Sequence, residues 1–212
     1  MTSGRKQHWE QVYTNKSPKE VSWYQTVASM SLALIQATGA DKAKRIIDIG
    51  GGASVLVDNL YDLGFRNLAV LDISHAAIVY AQARLGAKAA AIEWIESDVT
   101  AFRAKHRFDL WHDRAVFHFL TEADDRRRYV EILNAALAPD GDVIIATFAV
   151  DGPTKCSGLD IVQYDASAIC KVLGSAFQLQ ETRTETHVTP RGAEQKFACF
   201  RFKKSANNQA VT

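Results

Sequence analysis

The chain has 212 residues and only three cysteines, Cys156, Cys170 and Cys199, with no CxxC pair among them. An odd count without paired spacing supports neither a disulfide framework nor a zinc site. No cluster of His, Cys, Asp and Glu has metal-ligand spacing, so no metal is expected. No apolar run approaches the roughly 20 residues that cross a bilayer. The opening Met-Thr-Ser-Gly-Arg-Lys-Gln-His lacks the apolar stretch of a secretory signal, which points to a cytoplasmic protein without a membrane partner. An excess of either charge is missing too: 25 basic and 24 acidic residues leave a formal net charge of +1. A general polyanion binder needs clustered Lys and Arg, so nucleic acid is not an expected partner. Arg126-Arg127-Arg128 is the one basic run, and Glu122 and Asp124 stand four residues before Arg126 and Arg128, as in surface ion pairs on a helix. There is no internal repeat, linker or second domain.

What is present is apolar substance, 47% of residues, enough for one domain with a substantial core. The segment to about Ser17-Pro18 is polar and carries Trp9 and Tyr13. Val21 to Ala37 has helical periodicity, and Gly39 is a plausible stop. Strands are expected at 45–49, 68–72, 91–95, 108–112 and 143–148, separated by helices at 54–63, after Ser74 as a cap, from a Thr121–Asp124 capping box to Leu137, and at 165–173. Pro139-Asp140-Gly141 reads as a turn. Two closing strands, near 177–183 and 195–202, have no helix between them. The tail 205–212 is expected to be disordered. Alternating strands and helices imply a doubly wound, mostly parallel sheet with helices on both faces and antiparallel pairing at one edge. Residues 1–204 then form one domain, with 1–40 as an N-terminal lid and helix and 41–204 as the sheet core.

In such a sheet, ligands lie beyond the carboxyl ends of the strands. The first strand runs into Asp48-Ile49-Gly50-Gly51-Gly52, and the second ends in Asp72, which suits ribose hydroxyls. A dinucleotide fingerprint would place its third glycine at Val55, where a branched side chain obstructs helix–strand packing. A carboxylate at Asp48 would repel a pyrophosphate and suit a ligand bearing a sulfonium and an ammonium group.

With Leu71-Asp72-Ile73-Ser74, Ser97-Asp98-Val99 and Phe108-Asp109-Leu110-Trp111-His112-Asp113 following at successive strand ends, the chain resembles class I S-adenosylmethionine-dependent methyltransferases over roughly Ile46 to Phe202. The resemblance implies a Rossmann-like seven-stranded sheet, S-adenosyl-L-methionine as cofactor and S-adenosyl-L-homocysteine as product. It assigns Gly50 and Gly52 to the methionine part, Asp48 to its ammonium group, Asp72 to the ribose, Ile73 and Val99 to the adenine faces and Asp98 to the adenine amino group. It places His112 beside the reactive methyl.

Two segments bear on the methyl acceptor. Trp23-Tyr24, with Trp9 and Tyr13 ahead of it, could close as an aromatic lid, Trp23 packing on the sulfonium. His112-Asp113-Arg114-Ala115-Val116-Phe117-His118-Phe119 combines titratable groups with apolar walls. Asp113-Arg114-Ala115 resembles the Asp-Arg-Gly segment of thiopurine S-methyltransferases. Phe148 to Lys155, then Cys156-Ser157-Gly158-Leu159 and Tyr164-Asp165, resemble the loop after the fifth strand in thiopurine and thiol or halide methyltransferases. Gly192 and Cys199-Phe200 fit that pattern loosely. The expected acceptor is a small thiol, sulfide or related chalcogen compound in a closed apolar pocket under Trp23, Phe117, Phe119 and Phe148. Asp113, His112 and Tyr24 are the candidate catalytic groups. The alternative is a protein lysine methyltransferase, whose Asp-Lys segment Asp113-Arg114 also resembles, with an open acidic groove. Other small-molecule N- or O-methylation stands behind both, and either a monomer or a homodimer is compatible.

Overall fold

A computed structural model describes residues 2–15, 17 and 19–206. The elements in chain order are α1 (Thr2–Asn15), α2 (Ser29–Ala37), β1 (Ile46–Ile49), α3 (Leu56–Asp62), β2 (Leu68–Asp72), α4 (His75–Leu85), β3 (Ile92–Glu96), β4 (Phe108–Arg114), α5 (Ala123–Ala136), β5 (Leu137–Phe148), β6 (Lys155–Cys156), β7 (Leu159–Asp160), α6 (Ala166–Leu173), β8 (Phe177–Val188) and β9 (Glu194–Lys204).

Seven strands form one sheet in the order β3-β2-β1-β4-β5-β9-β8. The first five run parallel, and β9 is reversed between β5 and β8. The strand order turns back on itself between β1 and β4, and there the carboxyl ends open a crevice. Alternation along each strand divides the core in two. Ile47, Ile49, Trp111, Val143 and Ile145 pack with Tyr129 and Leu133 of α5 and Ile169 of α6. Ile46, Val70, Leu110, Ile144 and Phe148 pack with Leu34 and Ile35 of α2 and Leu56 and Leu60 of α3. Single-residue alternation thus decides which helix layer each strand residue meets.

Several local expectations shift. The helical periodicity from Val21 is realised only from Ser29, because Val21 to Ala28 forms an irregular wall over the crevice. The Thr121–Asp124 capping box does not form; Glu122 occupies the cap position without a side-chain bond, and Arg126 reaches back to the carbonyl oxygens of Leu120 and Thr121. Pro139-Asp140-Gly141 lies within β5 as an irregularity, where Asp140 adopts φ +55° and the register with β4 passes from Leu137 to Asp142. Ser74 caps α4 as expected, accepting from the Ala77 amide, and Asp165 does the same for α6 through Ala168. The polar opening segment is helical. Of the expected disordered tail, 207–212 lie outside the described residues, while the Ser205 amide still donates to the Ala176 carbonyl. Among the described residues, no helix is long and apolar enough to cross a membrane.

Candidate active site

Two adjoining cavities lie over the carboxyl ends of β1, β2 and β4. The larger, about 750 Å³, is lined by Leu71, Asp72, Ile73, Ser97, Asp98 and Val99 at one end. At its other end stand Trp9, Trp23, Arg114, Val116, Phe119 and Cys156. The second, about 560 Å³, runs over Asp48, Gly50 and Gly51 to Tyr24, Ser31 and His112.

The glycine loop is dictated sterically. Gly50 has φ +66°, and a Cβ there would collide with the Val116 side chain. A Cβ on Gly52 would lie 2.6 Å from Asp72 Oδ2. Gly52 lines neither cavity; its amide donates instead to Asp72 Oδ2 at 3.0 Å, while the Ser74 amide donates to Oδ1 at 2.8 Å. Asp72 is thereby fixed in the larger cavity. Burial pushes its carboxyl up to about 6, against the lowering effect of those amides.

Asp98 accepts from the amide and hydroxyl of Thr100 through Oδ1, while its Oδ2 is buried with no hydrogen-bond partner. Asp48 accepts or donates nothing through Oδ2, which is equally buried. A buried acceptor without a donor is costly. Two such oxygens, one at the adenine end and one at the methionine end of the expected binding track, fit a ligand with an amino group at each end. S-adenosylmethionine has that donor set, and a pyrophosphate has only further negative charge.

Helix α1 covers the crevice. Arg5, Trp9 and Tyr13, four residues apart, present one face to the larger cavity. Glu10 ties the helix to the start of α4, accepting from Ser74 Oγ at 2.9 Å and from the Ala76 amide at 3.1 Å. Arg5 pairs with Asp125 at 2.7 Å and stands 3.7 Å from Asp98. Trp9 meets Trp23 and Phe119 edge-on, and Trp23 donates to Tyr13 Oη at 3.3 Å. Arg5 and Glu10 were missed in the sequence; the four-residue spacing of Arg5, Trp9 and Tyr13 is the signal that points to Arg5.

The expected catalytic groups separate. Tyr24 does line the second cavity. Asp113 reaches neither cavity. Its side chain is fully buried on the α5 face, accepting from the Val116 and Phe117 amides through Oδ1 and from Tyr129 Oη through Oδ2 at 2.7 Å. Tyr129 in turn accepts from Trp111 Nε1 at 2.9 Å. Asp113 is a structural anchor for the segment after β4. His112 does line the second cavity, but both ring nitrogens are engaged, Nδ1 with Asp48 at 2.7 Å and Nε2 with Ser31 at 2.9 Å. It has no nitrogen left to serve as a base. Phe117 and Phe148, expected as pocket walls, are in the core. His118 is also buried, and burial holds its imidazole down to about 3, hence neutral.

Arg114 is the group the sequence underrated. It borders both cavities, lies 4.3 Å over the Phe197 ring, and contacts Glu185 only at 3.4 Å, while its Nε–H is buried without a partner. Ala115, next to it, takes φ +71°.

Residues 46–141 match the methyltransferase domain family. This stretch resembles the S-adenosylmethionine-dependent methyltransferases. It contains β1 to β4 and the loop and strand ends that carry Asp48, Asp72 and Asp98. Among curated proteins, the mouse eEF1A lysine and N-terminal methyltransferase is 25% identical over 97 residues, covering 46% of this chain and 14% of that protein. The Bos taurus counterpart is 24% identical over the same length. The chain thus spans about one-seventh of these relatives. Among solved structures, a protein from work on the conversion of a disulfide bond into a thioacetal group during echinomycin biosynthesis superposes with a TM-score of 0.77 at 18% identity, over 96% of this chain and 93% of that one. The Burkholderia thailandensis 1,6-didemethyltoxoflavin-N1-methyltransferase, with S-adenosylhomocysteine bound, gives 0.69 at 16% identity over 96% and 85%. The N-methyltransferase NodS of Bradyrhizobium japonicum, also with S-adenosylhomocysteine, gives 0.65 at 20% over 83% and 84%. Among the described residues, no group of three or more His, Cys, Asp or Glu gathers to hold a metal ion.

Proposed function

We propose that this protein transfers a methyl group from S-adenosylmethionine to the sulfur of a small thiol or sulfide. The observation that carries the acceptor class is the composition of the larger cavity's far end. Trp9, Trp23, Phe119 and Val116 form apolar walls there, Arg114 is the charged group, and no carboxylate or histidine stands among them. An amine or alcohol acceptor needs a base at this point. A thiol has an ordinary pKa of about 8.5 and needs less help, and a neighbouring guanidinium favours the thiolate.

Bound cofactor supplies an electrophilic methyl on a sulfonium. Asp72 holds the ribose, Asp98 receives the adenine amino group between Ile73 and Val99, and Asp48 receives the ammonium group. Trp9, Trp23 and Phe119 exclude water from the acceptor sulfur and strengthen the field of Arg114 upon it. The thiol proton leaves to solvent before transfer. The likeness to a protein studied for chemistry at a disulfide supports a sulfur acceptor. A crevice roofed by α1 fits a small acceptor better than a lysine-bearing protein.

The test is an acceptor panel of sulfide, methanethiol, aromatic thiols, selenide, amines and a lysine-bearing protein, with S-adenosylhomocysteine as readout. Turnover confined to the sulfur and selenium compounds is expected, and Arg114→Met should raise the pH at which the thiol reaction reaches half its rate. Turnover of the amines or the protein, with none of the thiols, would overturn the acceptor assignment.

A further inference from the structure

The floor of the second cavity holds a buried chain of three polar side chains from three elements. Asp48 of β1 and His112 of β4 are register partners on adjacent parallel strands, and both face α2. Ser31 of α2 meets them from above. The contacts are Asp48 Oδ1 to His112 Nδ1, 2.7 Å, and His112 Nε2 to Ser31 Oγ, 2.9 Å. All three side chains are among the buried polar groups. The order Asp–His–Ser resembles a nucleophile relay, yet Ser31 lies inside a helix and its hydroxyl is turned to the ring.

Asp48 Oδ1 is hydrogen-bonded to His112 Nδ1, and His112 Nε2 to Ser31 Oγ. Asp48 is then held by one oxygen, and Oδ2 is left without a partner beside the glycine loop. A Cβ on Gly51 would overlap that oxygen, so a glycine there makes room for the carboxylate.

We infer that Ser31 and His112 are positioning residues for the amino-acid end of the cofactor. They lock the Asp48 carboxylate so that Oδ2 awaits the ammonium group. The inference rests on the S-adenosylmethionine reading above and adds α2, which lies ahead of the first strand, to the binding apparatus. Preorientation of this kind shows in affinity for a ligand that has the ammonium group, and not in affinity for one that lacks it.

Calorimetry of Ser31→Ala and His112→Ala with two ligands tests this. S-adenosylhomocysteine carries the amino-acid end; 5′-methylthioadenosine shares the nucleoside and thioether but has no amino acid. Loss of the outer hydrogen bond should weaken S-adenosylhomocysteine about fivefold, and loss of the ring about thirtyfold. Methylthioadenosine should stay within about twofold of wild type in both variants. Equal weakening of the two ligands, or no weakening of either, would overturn the positioning role. Wild-type protein that binds neither ligand would instead remove the cofactor reading, and the positioning role with it. Should His112→Ala not fold, Ser31→Ala alone decides, because it deletes one hydroxyl and no ring.

Discussion

Asp113→Asn separates a structural carboxylate from a catalytic one. Asp113 is buried on the α5 side of β4, and its carboxyl is raised from 3.8 to about 6, chiefly by desolvation. A carboxyl that titrates higher in the folded state binds protons the unfolded chain has already released, so its cost is fully present above about pH 6 and vanishes below the unfolded value. Two units correspond to about 3 kcal/mol across the whole window, of which about 1 kcal/mol falls between pH 7 and pH 5. Asparagine keeps an acceptor for the Val116 and Phe117 amides and offers Tyr129 a donor, but it does not titrate. The difference in unfolding free energy between wild type and variant should therefore shift by about 1 kcal/mol in favour of wild type as pH falls from 7 to 5. The measurement is urea denaturation at several pH values, with methyl transfer assayed on the same samples. Comparison with the variant matters because Asp72, also raised to about 6, and His118 titrate in the same window. A pH-independent difference would refute the desolvation reasoning. A loss of activity beyond about a hundredfold in a folded variant would return Asp113 to the chemistry.

His118 should act with the opposite sign. Its imidazole is held down to about 3 when folded, against 6.5 ordinarily, so stability is lost as pH falls through the unfolded value. His118→Asn should remove about 2 kcal/mol of the acid loss between pH 7 and pH 5, read in the same denaturation series. Ala115→Gly should stabilise the protein by up to about 1 kcal/mol, because φ +71° strains alanine and not glycine; a fall in melting temperature would contradict this. Gly52→Ala should weaken S-adenosylhomocysteine binding by about thirtyfold or more, since the new methyl displaces Asp72, and calorimetry showing wild-type affinity would exclude that clash.

The sheet and the crevice at its strand ends were legible because each depends on short-range signals. Buried strands are apolar runs, and the residues at their carboxyl ends, Asp48, Asp72, Asp98 and Val99, must border the crevice whatever the details of packing. The lid was legible only as aromatic content. Its working contacts, Glu10 to Ser74 and Arg5 to Asp125, link residues 64 and 120 positions apart, and no local pattern encodes such pairings. The capping box failed for a similar reason: Arg126 supplies the carbonyl contacts at the start of α5 from within the helix.

The acceptor end shows why neighbours in sequence are poor guides to neighbours in a site. His112, Asp113 and Arg114 are consecutive on one strand, so they point to alternate faces. His112 meets Ser31 of α2, Arg114 borders both cavities, and Asp113 meets Tyr129 of α5. Reading the three as one reactive cluster counted a carboxylate into the pocket that the pleat removes. Once Asp113 is on the far face and His112 is bound at both nitrogens, Arg114 remains as the charged group at the end where the acceptor must enter. A guanidinium cannot serve as a base at neutral pH, but it stabilises an anion. The proposed sulfur acceptor fits that end, because among small biological nucleophiles a thiol or hydrosulfide arrives already ionised most readily.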